Sequence, residues 1–145
     1  MILFSSEIEF VFINRIKMNK LIIDLTNENF FLMIIANNNI YNITHQNTKI
    51  NYEKLTLIIN DFLLSKNLKI PDIDAIYINN GPGSFAGIRN SMSVVKAFNV
   101  VKNIDYYCYN LGDFRGEKDL SYENIPNLCK KYKIKKNLIN PIYIS

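Results

Sequence analysis

The sequence predicts an α/β domain built on one mixed β-sheet with two main helices. Three observations carry that class. Three short apolar segments follow one another between Leu21 and His45, separated by tight polar turns. Two stretches of helical apolar period then alternate with two further short apolar runs. Between those stretches, a strand, a glycine-rich turn and a helix succeed one another within a few residues, from Tyr77 to Arg89.

Taken in order, Leu21 to Leu25 is a short apolar strand that ends around Asp24 and Thr26. The polar run Thr26-Asn27-Glu28-Asn29 turns the chain into a second strand, Phe30 to Ala36. Asn37-Asn38-Asn39 is a second turn, since asparagine tolerates left-handed backbone. Ile40 to His45 alternates apolar and polar residues, as an edge strand does. Leu55, Ile58, Ile59, Phe62 and Leu63 form one stripe of a first helix, about Asn51 to Ser65, with Asn51 as its N-cap and Pro71 beyond its exit. Ala75 to Ile78 reads as a buried strand. The second helix, about Gly87 to Lys102, carries Ile88, Met92, Val95, Ala97, Phe98 and Val101, so burial on two sides is expected. Asp105 to Tyr109 is a further strand, and Leu111 to Leu120 a polar linker. Ile125, Leu128, Cys129 and Tyr132 mark a short helix, and Ile139 to Ile144 a last strand in which Pro141 suits an edge.

The glycine-rich turn, Gly81-Pro82-Gly83-Ser84-Phe85-Ala86-Gly87, brings backbone close to a phosphate, a neighbouring strand or a partner protein. It is not a Walker loop, because Gly87 is followed by Ile88 and Arg89 rather than Lys and a hydroxyl residue. Its glycines run G-x-G-x-x-x-G, one residue longer than a dinucleotide fingerprint, and Pro82 removes an amide.

The wording Gly-Pro-Gly-Ser-Phe-Ala-Gly-Ile-Arg closely resembles the signature Gly-Pro-Gly-Ser-Phe-Thr-Gly-Leu-Arg of the TsaB (YeaZ) family. Lys20 to Thr26 looks like that family's opening strand, and Ile70-Pro71-Asp72-Ile73-Asp74-Ala75-Ile76 like its approach to the loop. The resemblance runs from about Met18 to about Leu111. It returns in Ile125 to Cys129 and in Asn140 to Ile144, similar to the family's last helix and closing strand. Ala86 departs from the usual Thr, and Asn90 and Ser91 stand where Ile-Gly is common. The larger departure is length: only Gly112 to Ser121 joins the two blocks, so the second lobe is largely missing. The chain therefore divides into an extension at 1–17, an N-terminal lobe at 18–111, and a linker with a remnant of the C-terminal lobe at 112–145. A misassigned start before Met18 is preferred over an extra strand for the first segment.

The resemblance implies a single actin-like (ASKHA, ribonuclease H-like) half-domain, whose β-β-β-α-β-α-β order the elements match. It implies a non-catalytic scaffold subunit that docks and supports a TsaD-type catalytic subunit in threonylcarbamoyl transfer to N6 of adenosine in ANN-decoding tRNA. A TsaE-type ATPase is a further partner, tRNA is met only indirectly, and a homodimer is an option for the chain alone. The signature-loop residues are Gly81, Pro82, Gly83, Ser84, Phe85, Gly87 and Arg89. In the family the two main helices pack against the catalytic subunit, which makes Leu57, Leu64, Arg89, Met92, Val94 and Lys96 candidates for contact, the rival being that the apolar ones serve the chain's own core. No catalytic residue, metal or cofactor is expected. The alternative is a small actin-like nucleotide-binding or ATP-hydrolysing protein, which would use Asp24 toward metal and phosphates. A turn-capping role for Asp24, through Thr26 and Asn27, is the favoured account.

The remaining residues exclude more than they offer. The 145 residues, 48% hydrophobic and 21% charged, fit one ordinary globular domain. A net charge of +4 falls short of a nucleic-acid signature by itself, and Lys130, Lys131, Lys133, Lys135 and Lys136 read as a solvated helix end rather than a tRNA contact. Cys108 and Cys129 read as reduced core residues. His45 is the only histidine, so no metal-binding histidine pair exists, and nothing in the spacing ties it to Ser84 or a cysteine. Ser84 reads as the cap of the second helix. With no membrane span and no signal peptide recognised, a cytoplasmic location is expected.

Overall fold

The buried strand at 75–78 and the apolar run at 21–25 lie side by side at the centre of a five-stranded sheet, in a computed structural model that describes residues 18–139. The strands are β1 (Lys20–Asp24), β2 (Asn29–Ala36), β3 (Asn39–Gln46), β4 (Ala75–Asn79) and β5 (Asp105–Tyr109), in the order β3-β2-β1-β4-β5. The first three form an antiparallel meander, and β4 and β5 join it in parallel. Continuous apolar runs suit the central strands, which are covered on both faces: β4 is buried throughout, as are the last four residues of β1. The alternating strand β3 lies at the edge. Asn37 and Asn38 adopt φ of 51° and 66°, the left-handed pair that a two-residue hairpin turn requires.

The helices are α1 (Lys49–Glu53), α2 (Leu55–Leu64), α3 (Phe85–Lys102) and α4 (Ile125–Lys131). The first predicted helix is thus two pieces, broken at Lys54. Its N-cap is Thr48, whose hydroxyl accepts from the Asn51 amide at 3.3 Å. Asn51 is not the cap. With Thr48 capping it, the helix starts two residues earlier than expected, and the Asn51 side chain instead donates to the Gln46 carbonyl at 2.7 Å.

Helix α3 buries a single stripe, Gly87, Ile88, Ser91, Met92, Val95 and Phe98. The expectation of two buried sides fails there: Ala97 is exposed, and Val101 is 73% exposed. Asn103, at φ 57°, ends the helix in a left-handed cap.

Helices α2 and α3 cover one face of the sheet, where Leu55, Ile59, Phe62 and Leu63 meet Ile88, Met92 and Val95 over Leu21, Ile23, Ile34 and Ile78. The other face carries a smaller core in which Phe114, Ile125, Leu128 and Cys129 pack on Ile22, Met33, Ala75 and Tyr77. The predicted linker is therefore anchored, with Phe114 only 2% exposed in its middle. Lys136 bridges to Tyr107, and the Asn137 amide donates to the Tyr106 carbonyl at 2.7 Å, so this segment runs along the outer edge of β5. The predicted extension at 1–17 lies outside the described residues, as does the predicted last strand beyond Ile139.

Candidate functional site

The end of β1 is the point where most of the distinctive residues meet. Ser84 donates its amide to the Thr26 carbonyl at 3.0 Å and caps α3 by accepting from the Gly87 amide at 3.2 Å. Gly83 and Gly87 lie against the same strand end. A Cβ on Gly83 would stand 2.5 Å from the Thr26 carbonyl oxygen, and one on Gly87 would stand 2.0 Å from that of Leu25. Gly81 has φ 110°, a region closed to most side chains. Of the three possible neighbours of the loop, the structure thus supplies the strand. Pro82 and Phe85 are exposed, and the Arg89 guanidinium lies 6.0 Å from the centre of the Phe85 ring.

Asp24 is 3% exposed and accepts four hydrogen bonds. One carboxylate oxygen takes the Thr26 amide at 2.9 Å and the Thr26 hydroxyl at 2.6 Å. The other takes the Asn79 side-chain amide at 3.1 Å and the Tyr122 hydroxyl at 2.8 Å. A carboxylate has about four lone-pair positions, and all are used. Tyr122, from the 3-10 turn Tyr122–Asn124 before α4, also stacks on Phe31 with centroids 4.0 Å apart. Around this group is a cleft of about 460 Å³ lined by Asp24, Thr26, Gly81, Pro82, Tyr109 and Tyr122 among others.

Two tyrosines here resist ionisation. Burial, then the nearby Asp24 charge, raises the Tyr109 phenol well above its usual value and raises Tyr122 as well. Burial likewise raises Tyr77, with Tyr107 beside it a second cause. Cys129 is pushed up to about 12, by burial first and then by Asp113 and Cys108, so it stays a thiol at neutral pH and is no nucleophile. His45 stacks on Phe30 at 5.0 Å, on an edge strand away from the loop. Among the described residues no group of three His, Cys, Asp or Glu side chains is placed to hold a metal ion.

The partner-contact candidates separate by exposure. Leu57 and Leu64 are 55% and 48% exposed on α2, and Arg89 and Lys96 are exposed on α3. Met92 is a correction: at 6% exposure it belongs to the core, on the buried stripe of α3. Val94 is half-buried and packs against the same core. Val100 and Val101, each 73% exposed, and Phe85, 50% exposed, are surface apolar residues on α3 that were not selected for contact from the sequence. Tyr122 was missed outright, because no spacing rule connects it to an aspartate 98 residues away.

A family model described as TsaD, tRNA N6-adenosine threonylcarbamoyltransferase, matches residues 43–111. No curated protein matches the sequence. Among solved structures, YeaZ from Pseudomonas aeruginosa superposes with a TM-score of 0.60 at 18% identity, covering 64% of this chain and 44% of that one. A second Pseudomonas aeruginosa structure, an uncharacterised protein with similarity to peptidase YeaZ, gives 0.60 at 18% identity over 64% and 43%. Thermus thermophilus RuvC in complex with a Holliday junction substrate gives 0.50 at 9% identity, covering 85% of this chain and 83% of that one. The chain spans less than half the length of the YeaZ structures. The mixed sheet and these likenesses define a ribonuclease H-like half-domain. Within that class its fold is similar to that of the YeaZ structures. No helix among the described residues is long and apolar enough to cross a membrane.

Two predictions follow from this geometry. Gly87→Ala drives a methyl group into the Leu25 backbone and should cost about 2–4 kcal/mol in urea unfolding, whereas Gly116→Ala, at φ 82° with open space around it, should cost about 1 kcal/mol. Equal costs would mean that the loop does not rest on β1.

The raised tyrosines set an alkaline limit. A phenol with a higher pKa folded than unfolded contributes stability that is fully present below the unfolded value, about 10, and is lost as pH rises toward the folded value. Stability should fall above about pH 10. Tyr122→Phe should lose about 1–2 kcal/mol at neutral pH and show a shallower alkaline decline. An unchanged decline in urea titrations across this range would rule out the Tyr122 contribution.

Proposed function

We propose that this chain is a cytoplasmic, non-catalytic scaffold that docks a TsaD-type catalytic subunit and supports threonylcarbamoyl transfer to N6 of adenosine in tRNA. The carrying observation is the exposed apolar surface of the two neighbouring helices, with Leu57 and Leu64 on α2 and Phe85, Val100 and Val101 on α3. A helix needs one apolar stripe for its own core, and α3 already has that stripe in Ile88, Met92, Val95 and Phe98. Surplus apolar residues on adjacent helices favour a helical bundle with a partner. Arg89 has no carboxylate partner among the described residues, which leaves it available at the edge of this surface. A TsaE-type ATPase would join the assembly, and self-association through the same helices would serve the chain when alone. Contact with tRNA would pass mainly through the catalytic subunit.

The test is co-purification with a TsaD-type subunit. Leu57→Glu combined with Val100→Glu should weaken the complex about tenfold or more, because each carboxylate would be buried without a partner, while the free chain keeps its melting temperature. Lys133→Glu, on the opposite side of the sheet, is the control and should leave the complex intact. Loss on the Lys133 substitution alone would move the interface elsewhere.

The nucleotide-hydrolysing alternative requires Asp24 to release its donors for magnesium and phosphate. ATP with magnesium at about millimolar concentration should therefore leave the melting temperature unchanged. A rise that Asp24→Asn abolishes would restore the alternative.

A further inference from the structure

On the sheet face opposite α2 and α3, the start of β1 and the end of α4 frame a second cleft of about 500 Å³. Its lining includes Lys20, Lys130, Lys133, Tyr77, Tyr107 and Asn127, and among the described residues no acidic side chain lines it. Three lysines from distant parts of the sequence thus converge on one concavity. The Lys133 amide donates to the Lys130 carbonyl at 3.2 Å, and Lys133 sits in left-handed backbone at φ 54°, so the end of α4 holds these two residues close together.

Two neighbouring lysines are compensated by carboxylates. Lys131 is paired with Glu117, and Lys136 with Asp105 at 3.5 Å. Lys20, Lys130 and Lys133 have no carboxylate partner among the described residues. Gathering unpaired like charges around a concave surface raises its local positive potential and draws anions into it.

Beneath the lysines lies an aromatic floor. Tyr77 and Tyr107 are paired in register on the parallel strands β4 and β5, and their rings stack with centroids 5.1 Å apart and planes 13° apart. Tyr77 is buried and backs Tyr107, which is half-buried and also lines the cleft. Cations beside aromatic rings that line the same cleft match a ligand that joins a flat ring to a phosphate. A base held within a duplex does not expose its face, whereas an unstacked base does.

We propose that this cleft binds single-stranded nucleic acid, with Lys20, Lys130 and Lys133 on the phosphates and Tyr107, backed by Tyr77, stacked on a base. The inference does not rest on the scaffold reading, because the cleft and the exposed helix surface lie on opposite faces of the sheet.

The experiment is fluorescence anisotropy of a labelled oligouridylate of about ten nucleotides with the full chain alone. Saturable binding in the micromolar range at low salt, weakening as salt rises, is expected. The double variant Lys130→Glu/Lys133→Glu should weaken binding about tenfold or more and flatten the salt dependence. Tyr107→Ala should weaken it about fivefold or more with the salt dependence kept. Lys49→Glu/Lys102→Glu makes the same net-charge change outside the cleft and should leave affinity within about twofold. Melting temperatures verify that each variant folds, and Lys130→Gln/Lys133→Gln replaces the charge reversal where it does not. Equal weakening by the control pair, absence of saturable binding at low salt, or displacement by uridine monophosphate as effective as by the oligomer would each overturn the proposal.

Discussion

The approach of the glycine loop to the carbonyl oxygens of Leu25 and Thr26 is the constraint on which the rest of the structure depends. The two glycines let α3 start directly over the end of β1, and the Ser84 amide fastens it there. That contact sets where Ile88 and Met92 enter the core. It also places the Ser84 hydroxyl 3.3 Å from that of Tyr52, which ties α1 to the same point. Two residues upstream of Thr26, Asp24 receives Asn79 from β4 and Tyr122 from the segment before α4. One strand end therefore organises the helices on one face and the short C-terminal elements on the other. The glycines of the signature are explained by this packing, and no phosphate is needed to account for them.

The parts of this arrangement that were legible in the sequence are those written in local pattern. The five strands follow from apolar runs and from asparagine turns, and Asn37 and Asn38 supply the left-handed pair directly. Ser84 was recognisable as a cap because a hydroxyl residue precedes a helical stripe. Asn51 misleads because Thr48 offers the same chemistry three residues earlier and accepts the Asn51 amide as the cap. Val101 misled because valine near the end of an apolar helix reads as core until the helix axis fixes which way it faces. The bond from Tyr122 to Asp24 and the gathering of Lys20 with Lys130 and Lys133 have no local signature. They exist only once the sheet has brought distant parts of the sequence together.

Hydrogen-bond saturation weighs most heavily in the chemistry of the Asp24 cleft. A buried carboxylate with vacant lone pairs would be a costly group awaiting a ligand, whereas one that accepts four bonds is already compensated. To bind a cation, Asp24 would have to give up at least the Asn79 or Tyr122 bond, and the Tyr122 ring would have to leave Phe31. The same position can hold a reactive acid or a structural one, and here the donors around it favour the structural role.

On the second sheet face, aromatic rings between Tyr109 and Tyr132 cover the strands. Tyr109 and Phe114 stack at 5.9 Å, and Phe114 meets Tyr132 at 5.6 Å, so three aromatic rings cover area that smaller side chains would not. The Tyr132 hydroxyl has the Arg115 carbonyl at 3.1 Å and Glu117 at 2.9 Å as acceptors for its one proton, and Glu117 also pairs with Lys131. These bonds join the linker to α4 within one small unit. Glu117 of that unit pairs with Lys131 and Asp105 of β5 with Lys136, whereas Lys20, Lys130 and Lys133 around the cleft have no carboxylate partner among the described residues. Exposed apolar residues lie on the helix side, and a cleft lined by three lysines and two tyrosines lies on the other, so the two faces of this sheet are suited to partners of different chemistry.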